Sequence, residues 1–420
     1  MNRREFLTLA AAQLAACIVV PAQLSMPDIR LVFNPQNQEP NGDVLVCIFQ
    51  RGGMDGLNAV IPYGEAKNYY DQRPSLAVQA PSSGSAQSIL DLDGFFGLNP
   101  ALAPLKDIWD DHALAIVHAC GSPDPTHSHF DAMDYMERGT PGQKQITTGW
   151  LSRHLSAMAT QNQTPFRAVG VAPMLPSSLR GPVSATALES IATFHLGGAR
   201  SNPQLASFQA GLARLYAGGG LLAQESNLTF QAMETLAKVN PGAYVPAGAA
   251  KYPQTAFGNG LKQIAELIKA GLGMEVATLD IGGWDTHVDQ GSTDGYLPAL
   301  MTDLAGGILA FYQDLGDLFK RVTLVTMSEF GRRVQENGSA GTDHGHGNVM
   351  FVVSRNILGS KVYGQWPGLA PDKLVTPGDL AVTTDFRAVL AEILAQRVGN
   401  PQLQNVFPAF DLSQSVHIFK

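Results

Sequence analysis

Six short apolar runs punctuate the chain: 43–50 (DVLVCIFQ), 113–119 (ALAIVHA), 166–171, 274–280 (MEVATLD), 322–327 (VTLVTM) and 349–353. Runs this short, with little polar alternation, suit strands buried on both faces. Helix signals lie between them. Asn99-Pro100 reads as an N-cap with a first-turn proline, opening a helix to about Asp110. A second helix begins from Thr126 onward, a third covers about Leu297–Phe319, and Thr384-Asp385 opens a last one. Residues of roughly 185–270 read as mostly helical, for example Pro203–Tyr216 and Gln231–Val239. No internal repeat is visible. Strands alternating with helices predict an α/β fold with a parallel or mostly parallel sheet and helices on both faces. The expected organisation is a polar linker at 23–42 and one domain over 43–420. The helical stretch at about 185–270 is expected to be an insertion, because motif-bearing strands flank it.

In such sheets, ligands bind past the carboxyl ends of strands, where this chain gathers its unusual residues. The first run stops at Arg51-Gly52-Gly53-Met54-Asp55-Gly56. The second leads to Thr126-His127-Ser128-His129 and Asp131, and the fourth to Gly282-Gly283-Trp284-Asp285-Thr286-His287. The fifth leads to Ser328-Glu329-Phe330-Gly331-Arg332, and just before the sixth comes Asp343-His344-Gly345-His346. Five of the ten histidines lie in three of these loops. Carboxylates and imidazoles at strand ends suit one or two divalent cations, with zinc or manganese the expected choices. Each residue also has a plainer reading. Asp55 between glycines suits an Asx-turn, and Ser128 or Thr126 suits a helix N-cap. Glu329 suits an ion pair with Arg332 or Arg333 equally well.

At the N-terminus, Arg3-Arg4-Glu5-Phe6-Leu7 precedes an apolar run to Val20, with a plausible cut after Ala22. This reads as a twin-arginine export signal over 1–22, so the export machinery is an expected partner and the periplasm or exterior the expected location. The run is shorter than the roughly 20 residues a spanning helix needs. No later stretch is long and apolar enough to span a bilayer, and the mature protein is expected to be soluble. Charged residues make up only 15%, with 28 Lys+Arg against 36 Asp+Glu, which argues against nucleic acid as a partner. Cys47 and Cys120 sit in apolar runs and read as buried free thiols rather than a disulfide framework. There is no Cys-x-x-Cys, haem-attachment or dinucleotide fingerprint to support a redox role.

The stretches FQRGGMDGLNAVIPYG (49–64), HSHFDAMDYMERG (127–139), TGWLSRHL (148–155), TLDIGGWDTH (278–287), VTMSEFGRR (325–333) and GTDHGHGNVMFV (341–352) resemble the DUF1501 family. That family is placed among sulfatase-like relatives of alkaline phosphatase. The resemblance implies an alkaline phosphatase/sulfatase-like core. It implies metal-ligand roles for Asp55, Asp285, His287, Glu329 and His346, with His344 competing for the last. Ser128 or Thr126 would occupy the nucleophile's place. Two departures stand out. Glu329-Phe330 replaces the Asp-His pair of those relatives, so one histidine ligand is missing; His127, His129 or Asp343 is a candidate substitute. No sulfatase-type Cys-x-Pro-x-Arg is present, since Gly121-Ser122-Pro123 follows Cys120. The expected function is an exported metal-dependent hydrolase of a small phosphate or sulfate ester, with Arg51 or Arg332 clamping the anion. The alternative is a non-catalytic exported binding or assembly protein on the same fold.

Overall fold

The computed structural model describes residues 43–158, 164–192 and 244–419, with positions 162, 211, 226, 229–233 and 235–236 besides. The expected export signal, the linker at 23–42 and much of the expected insertion lie outside the described residues. Among the described residues twelve strands occur, in chain order: β1 (Val44–Gln50), β2 (Val60–Ile61), β3 (Leu90–Asp91), β4 (Gly97–Leu98), β5 (Leu114–Gly121), β6 (Ala168–Val171), β7 (Thr186–Ala187), β8 (Val276–Ile281), β9 (Val322–Met327), β10 (Asn348–Val353), β11 (Lys361–Tyr363) and β12 (Thr384–Asp385). Every apolar run of the sequence becomes a strand. Nine strands form one sheet in the order β11-β5-β10-β9-β1-β8-β6-β7, with β12 also on β5. Strands β2, β4 and β3 make a separate small antiparallel ribbon.

Side chains along the central strands alternate between two cores. Val44, Val46 and Ile48 join one hydrophobic cluster, and Leu45, Cys47 and Phe49 the other. Three helices cover the first face: α1 (Ala103–Asp110), α4 (Ala256–Lys269) and α5 (Tyr296–Leu315). Three cover the second: α2 (His129–Arg138), α3 (Trp150–Ala157) and α6 (Phe386–Gln396). Burying one Leu, Ile or Val in these layers contributes roughly 1.5–3 kcal/mol, so a strand sandwiched on both faces is mostly apolar, and the buried Thr323 and Thr326 of β9 hydrogen-bond through their hydroxyls. Two of the expected caps form. The Asn99 side chain accepts from Ala101 N–H, and Asp385 accepts from Arg387 N–H at the start of α6. Cys47 and Cys120 are buried and unbridged. Among the described residues, no helix is long and apolar enough to cross a membrane.

The fold is mixed α/β with a large, mostly parallel sheet. Strand β10 alone runs against its neighbours, antiparallel to both β9 and β5. Residues 328–347 therefore turn back at the same sheet edge rather than crossing over it. This reversal brings a loop that leads into a strand to the carboxyl ends of β1, β5, β8 and β9.

Candidate functional site

Four loops meet at that edge, following β1, β5, β8 and β9. Their fastening is Arg332, whose side chain is fully buried. Its Nε donates to Gly53 O (2.6 Å), Nη1 to Thr342 O (2.9 Å), and Nη2 to Trp284 O (3.0 Å) and Gly52 O. Nη2 also pairs with Asp285 Oδ1 at 2.7 Å. Gly52 allows this crossing. At φ +123° it has a conformation closed to most side chains, and a Cβ there would lie 2.5 Å from Asp285 N. Arg332 therefore orients Asp285 and has its donors taken by the protein. Arg51 is also occupied, with Nε on Asp280 Oδ2 (2.6 Å) and Nη2 3.3 Å from Glu137 Oε1. Neither expected anion clamp has a free fork.

Asp285 is the centre of the cluster. Its Oδ2 lies 3.3 Å from His129 Nε2, and its Oδ1 lies 3.1 Å from both His287 Nε2 and His344 Nε2. Ligand atoms of His129, Asp285 and His344 all fall within 4.8 Å of one another. The second nitrogens settle which atoms face inward. His344 Nδ1 donates to the His127 carbonyl (3.0 Å), which leaves its Nε2 facing Asp285 Oδ1 and His287 Nε2. His129 Nδ1 meets the buried Glu329 carboxylate at 2.7 Å, and its Nε2 is buried with no hydrogen-bond partner. Two imidazole nitrogens thus face one carboxylate. A proton on either ring or a cation shared by all three groups would satisfy that arrangement. A carboxylate behind a ligating histidine is the usual arrangement around bound metals, so the donor set fits a divalent cation.

The local charges are tuned by contact. Burial alone would raise the Asp285 carboxyl, but the Arg332 hydrogen bond and charge hold it at about 2. The hydrogen bond that His129 donates to Glu329 lifts its imidazole above the ordinary value, whereas burial lowers His344. His287 extends the cluster outward. Its Nε2 is 2.9 Å from His344 Nε2, and its Nδ1 is 3.2 Å from Asp343 Oδ1. The Asn337 amide keeps Asp343 below the carboxylate norm.

The structure does not bring every expected residue to this cluster. Asp55 is fully buried in an ion pair with Arg73 Nη1 (2.6 Å), and Gln290 Nε2 also donates to it at 2.7 Å. Glu329 stands behind His129, accepting from Gly52 N–H (2.8 Å) and Ser328 Oγ–H (3.1 Å) as well. His346 Nε2 donates to the carbonyls of Ser122 (3.0 Å) and Asp124 (3.1 Å), fastening the loop after β5. Helix α2 starts at His129 rather than at Thr126, with Ser128 as an exposed, extended N-cap that makes no capping bond. Thr126 Oγ1 accepts from Ser128 N–H at 3.2 Å. In an extended stretch alternate side chains share a side; His127 and His129 both pack against Phe330.

Sequence reasoning missed Asp379 and Arg73. Asp379 is buried and 2.9 Å from His127 Nε2, and burial raises its carboxyl. It follows Pro377-Gly378 and reads as an ordinary turn, so no sequence signal marked it. Arg73 carries no local pattern that sets it apart from a surface cation, yet it is fully buried against Asp55.

Residues 111–398 match the family described as "Protein of unknown function (DUF1501)". The matched span contains His129, Asp285, Glu329 and His344, whereas Arg51, Asp55 and Arg73 precede it. A comparison with curated proteins found no match. With well over half of its length matched, the chain belongs to the DUF1501 family of proteins of unknown function.

Proposed function

We propose that this chain is a metal-dependent hydrolase of a phosphate or sulfate ester that works outside the cytoplasm, exported on its twin-arginine signal. His129, Asp285 and His344 would hold one divalent cation, with His287 beside them. The observation that carries the reading is the pair of imidazole nitrogens turned on one carboxylate within 4.8 Å, His129 Nε2 being buried without a hydrogen-bond partner. Nitrogen and carboxylate donors suit zinc first and manganese second. When bound, such a cation polarises an ester oxygen and makes water a nucleophile near neutral pH.

The chain's own residues would do the rest. Arg332 keeps Asp285 ionised and aimed, and Glu329 holds the His129 ring and its tautomer. The mostly parallel sheet, with its polar loops at one edge, supports an alkaline phosphatase/sulfatase-like relationship. A single cation is favoured over two. Phe330 stands where a second histidine is expected, and its ring centroid lies 4.8 Å from those of both His129 and His344. Attack by water is favoured over attack by Ser128 or Thr126, because neither hydroxyl bonds to the cluster. That same feature favours the second reading, a metal-holding protein without hydrolytic activity.

The test is elemental analysis of the exported protein, wild type against Asp285→Ala and His344→Ala, followed by assays on p-nitrophenyl phosphate and p-nitrophenyl sulfate. We expect about one divalent ion per chain in the wild type and its loss in both variants. Hydrolysis should then fall by at least a hundredfold, or roughly 3 kcal/mol of barrier. Metal bound without turnover of either ester would move the chain to the second reading. No metal after zinc or manganese is added back would overturn both.

A further inference from the structure

A cavity of about 760 Å³ opens beside the cluster. Lys67 and Gln72 line one wall; Arg333, Glu336, Asn337 and Asp343 line the other, and the 371–378 turn closes the end. It touches the cluster through Asp343, the partner of His287. Lys67, Gln72, Arg333 and Glu336 make its walls polar, while Pro371, Leu374, Val375 and Pro377 make its end apolar, so its occupant carries a polar or charged group on a carbon frame.

Arg333 is the unusual group in this wall. Its nearest acids are Asp343 Oδ2, 3.6 Å from Nη1, and Asp379 Oδ1, 3.9 Å from Nε. Both separations exceed hydrogen-bond length. Arg333 Nε and Asp379 Oδ1 are each buried with no hydrogen-bond partner. The contrast with the neighbouring arginines is sharp. Arg51, Arg73 and Arg332 each make short bonds to carboxylates, and Arg73 and Arg332 to carbonyls as well. The carboxylates on the wall are otherwise engaged. Glu336 accepts from Ser75 N–H, Ser75 Oγ–H and Leu76 N–H, each at 3.0 Å. Asp343 accepts from Asn337 and meets His287, while Asp71 lies 3.9 Å from Lys67 at the exposed rim. A guanidinium with open donors matches a two-oxygen anion better than any uncharged group.

We infer that this cavity binds the non-reacting end of the substrate, a polar organic anion whose carboxylate, phosphate or sulfate group is taken by Arg333. Asp343 and His287 lie between Arg333 and Asp285, so this anion is the recognition end rather than the group being cleaved. The rest of the ligand lies along the wall that carries Lys67 and Gln72. Calling the ligand a substrate rests on the hydrolytic reading of the cluster; the binding itself does not.

The experiment is titration calorimetry on the full chain stripped of metal by chelation. The probes are glycerol 3-phosphate, inorganic phosphate and, as the uncharged comparison, glucose. We expect glycerol 3-phosphate to bind the metal-free wild type and the Asp285→Ala variant alike. Arg333→Gln should weaken it roughly 10- to 100-fold, the worth of charge-assisted hydrogen bonds, and Arg333→Lys should lose less. Gln72→Trp, which fills the cavity from the opposite wall, should abolish binding even if Arg333→Gln fails to fold. Binding that disappears on chelation or in Asp285→Ala would put the anion at the metal and overturn the assignment to Arg333. Binding of glucose alone, or of no probe, would overturn it as well. Failure of the wild type to take up added zinc or manganese, with glycerol 3-phosphate still bound, would sink the hydrolytic reading and leave the cavity assignment standing.

Discussion

At the scale of single residues, the cluster works by fixing which nitrogen of each imidazole is free. Glu329 does this for His129 through its 2.7 Å contact to Nδ1, and the His127 carbonyl does it for His344. Glu329→Gln keeps the shape and removes the charge. We expect metal affinity to fall roughly 10- to 100-fold, measured by competition with a chromophoric chelator, with the fold intact by circular dichroism. Unchanged affinity would mean that Glu329 merely closes the loop after β1. The chemistry of these residues was legible in the sequence, because Asp285-Thr286-His287 and Asp343-His344-Gly345-His346 bring donors to strand ends. Their division of labour was not. His344 and His346 are both imidazoles two residues apart, and only the carbonyls that receive their protons separate a cluster member from a loop fastener. Asp55 was marked by its glycines. Its partner Arg73 arrives from a separate turn, and no local pattern announces a long-range ion pair.

At the scale of elements, the strands were legible because burial on both faces demands mostly apolar, β-branched runs. The run Val322–Met327 matches its strand end to end, and the others shift by a residue or two. Direction was not legible, since the hydrophobic pattern of β10 reads the same either way along the chain. The last helix holds a further element-level feature. Glu392 in α6 accepts backbone N–H groups of Val416, His417, Ile418 and Phe419 at 2.6–3.2 Å, tying the C-terminal segment to the domain. Glu392→Ala leaves those donors to water. We expect a stability loss of roughly 1–3 kcal/mol and faster clipping of the last ten or so residues in limited proteolysis. Equal clipping rates would show that Ile418 and Phe419 hold the segment by packing alone.

At the scale of the whole molecule, two buried histidines make the fold acid-sensitive. His118 accepts Ala119 N–H at Nδ1 (2.8 Å) and donates from Nε2 to Val60 O (2.9 Å), which suits only the neutral ring. Burial lowers His118 from 6.5 to about 4, and does the same to His154 beneath Asn400. Between those values the unfolded chain takes up protons that the folded one refuses. Stability is therefore full above about pH 6.5, falls as pH drops towards 4, and loses up to about 3 kcal/mol per histidine. Melting temperatures at pH 7.0 and 4.5, taken on chelated protein, check this. The drop should shrink in His118→Leu, and an identical drop in that variant would rule His118 out as a source.

The strand order also governs how the chain reaches its native state. The first strand made, β1, is seated between β8 and β9, so Leu45 pairs with Val276 and with Thr323. Most of the polypeptide must be synthesised before the middle of the sheet can close. Pairings so distant along the chain carry a loop-closure cost before they return any contact, which makes folding slow and leaves an apolar strand with two open edges meanwhile. Val44–Gln50 is thus the segment with the longest wait for its partners, and the one most in need of shielding while the ribosome finishes the rest.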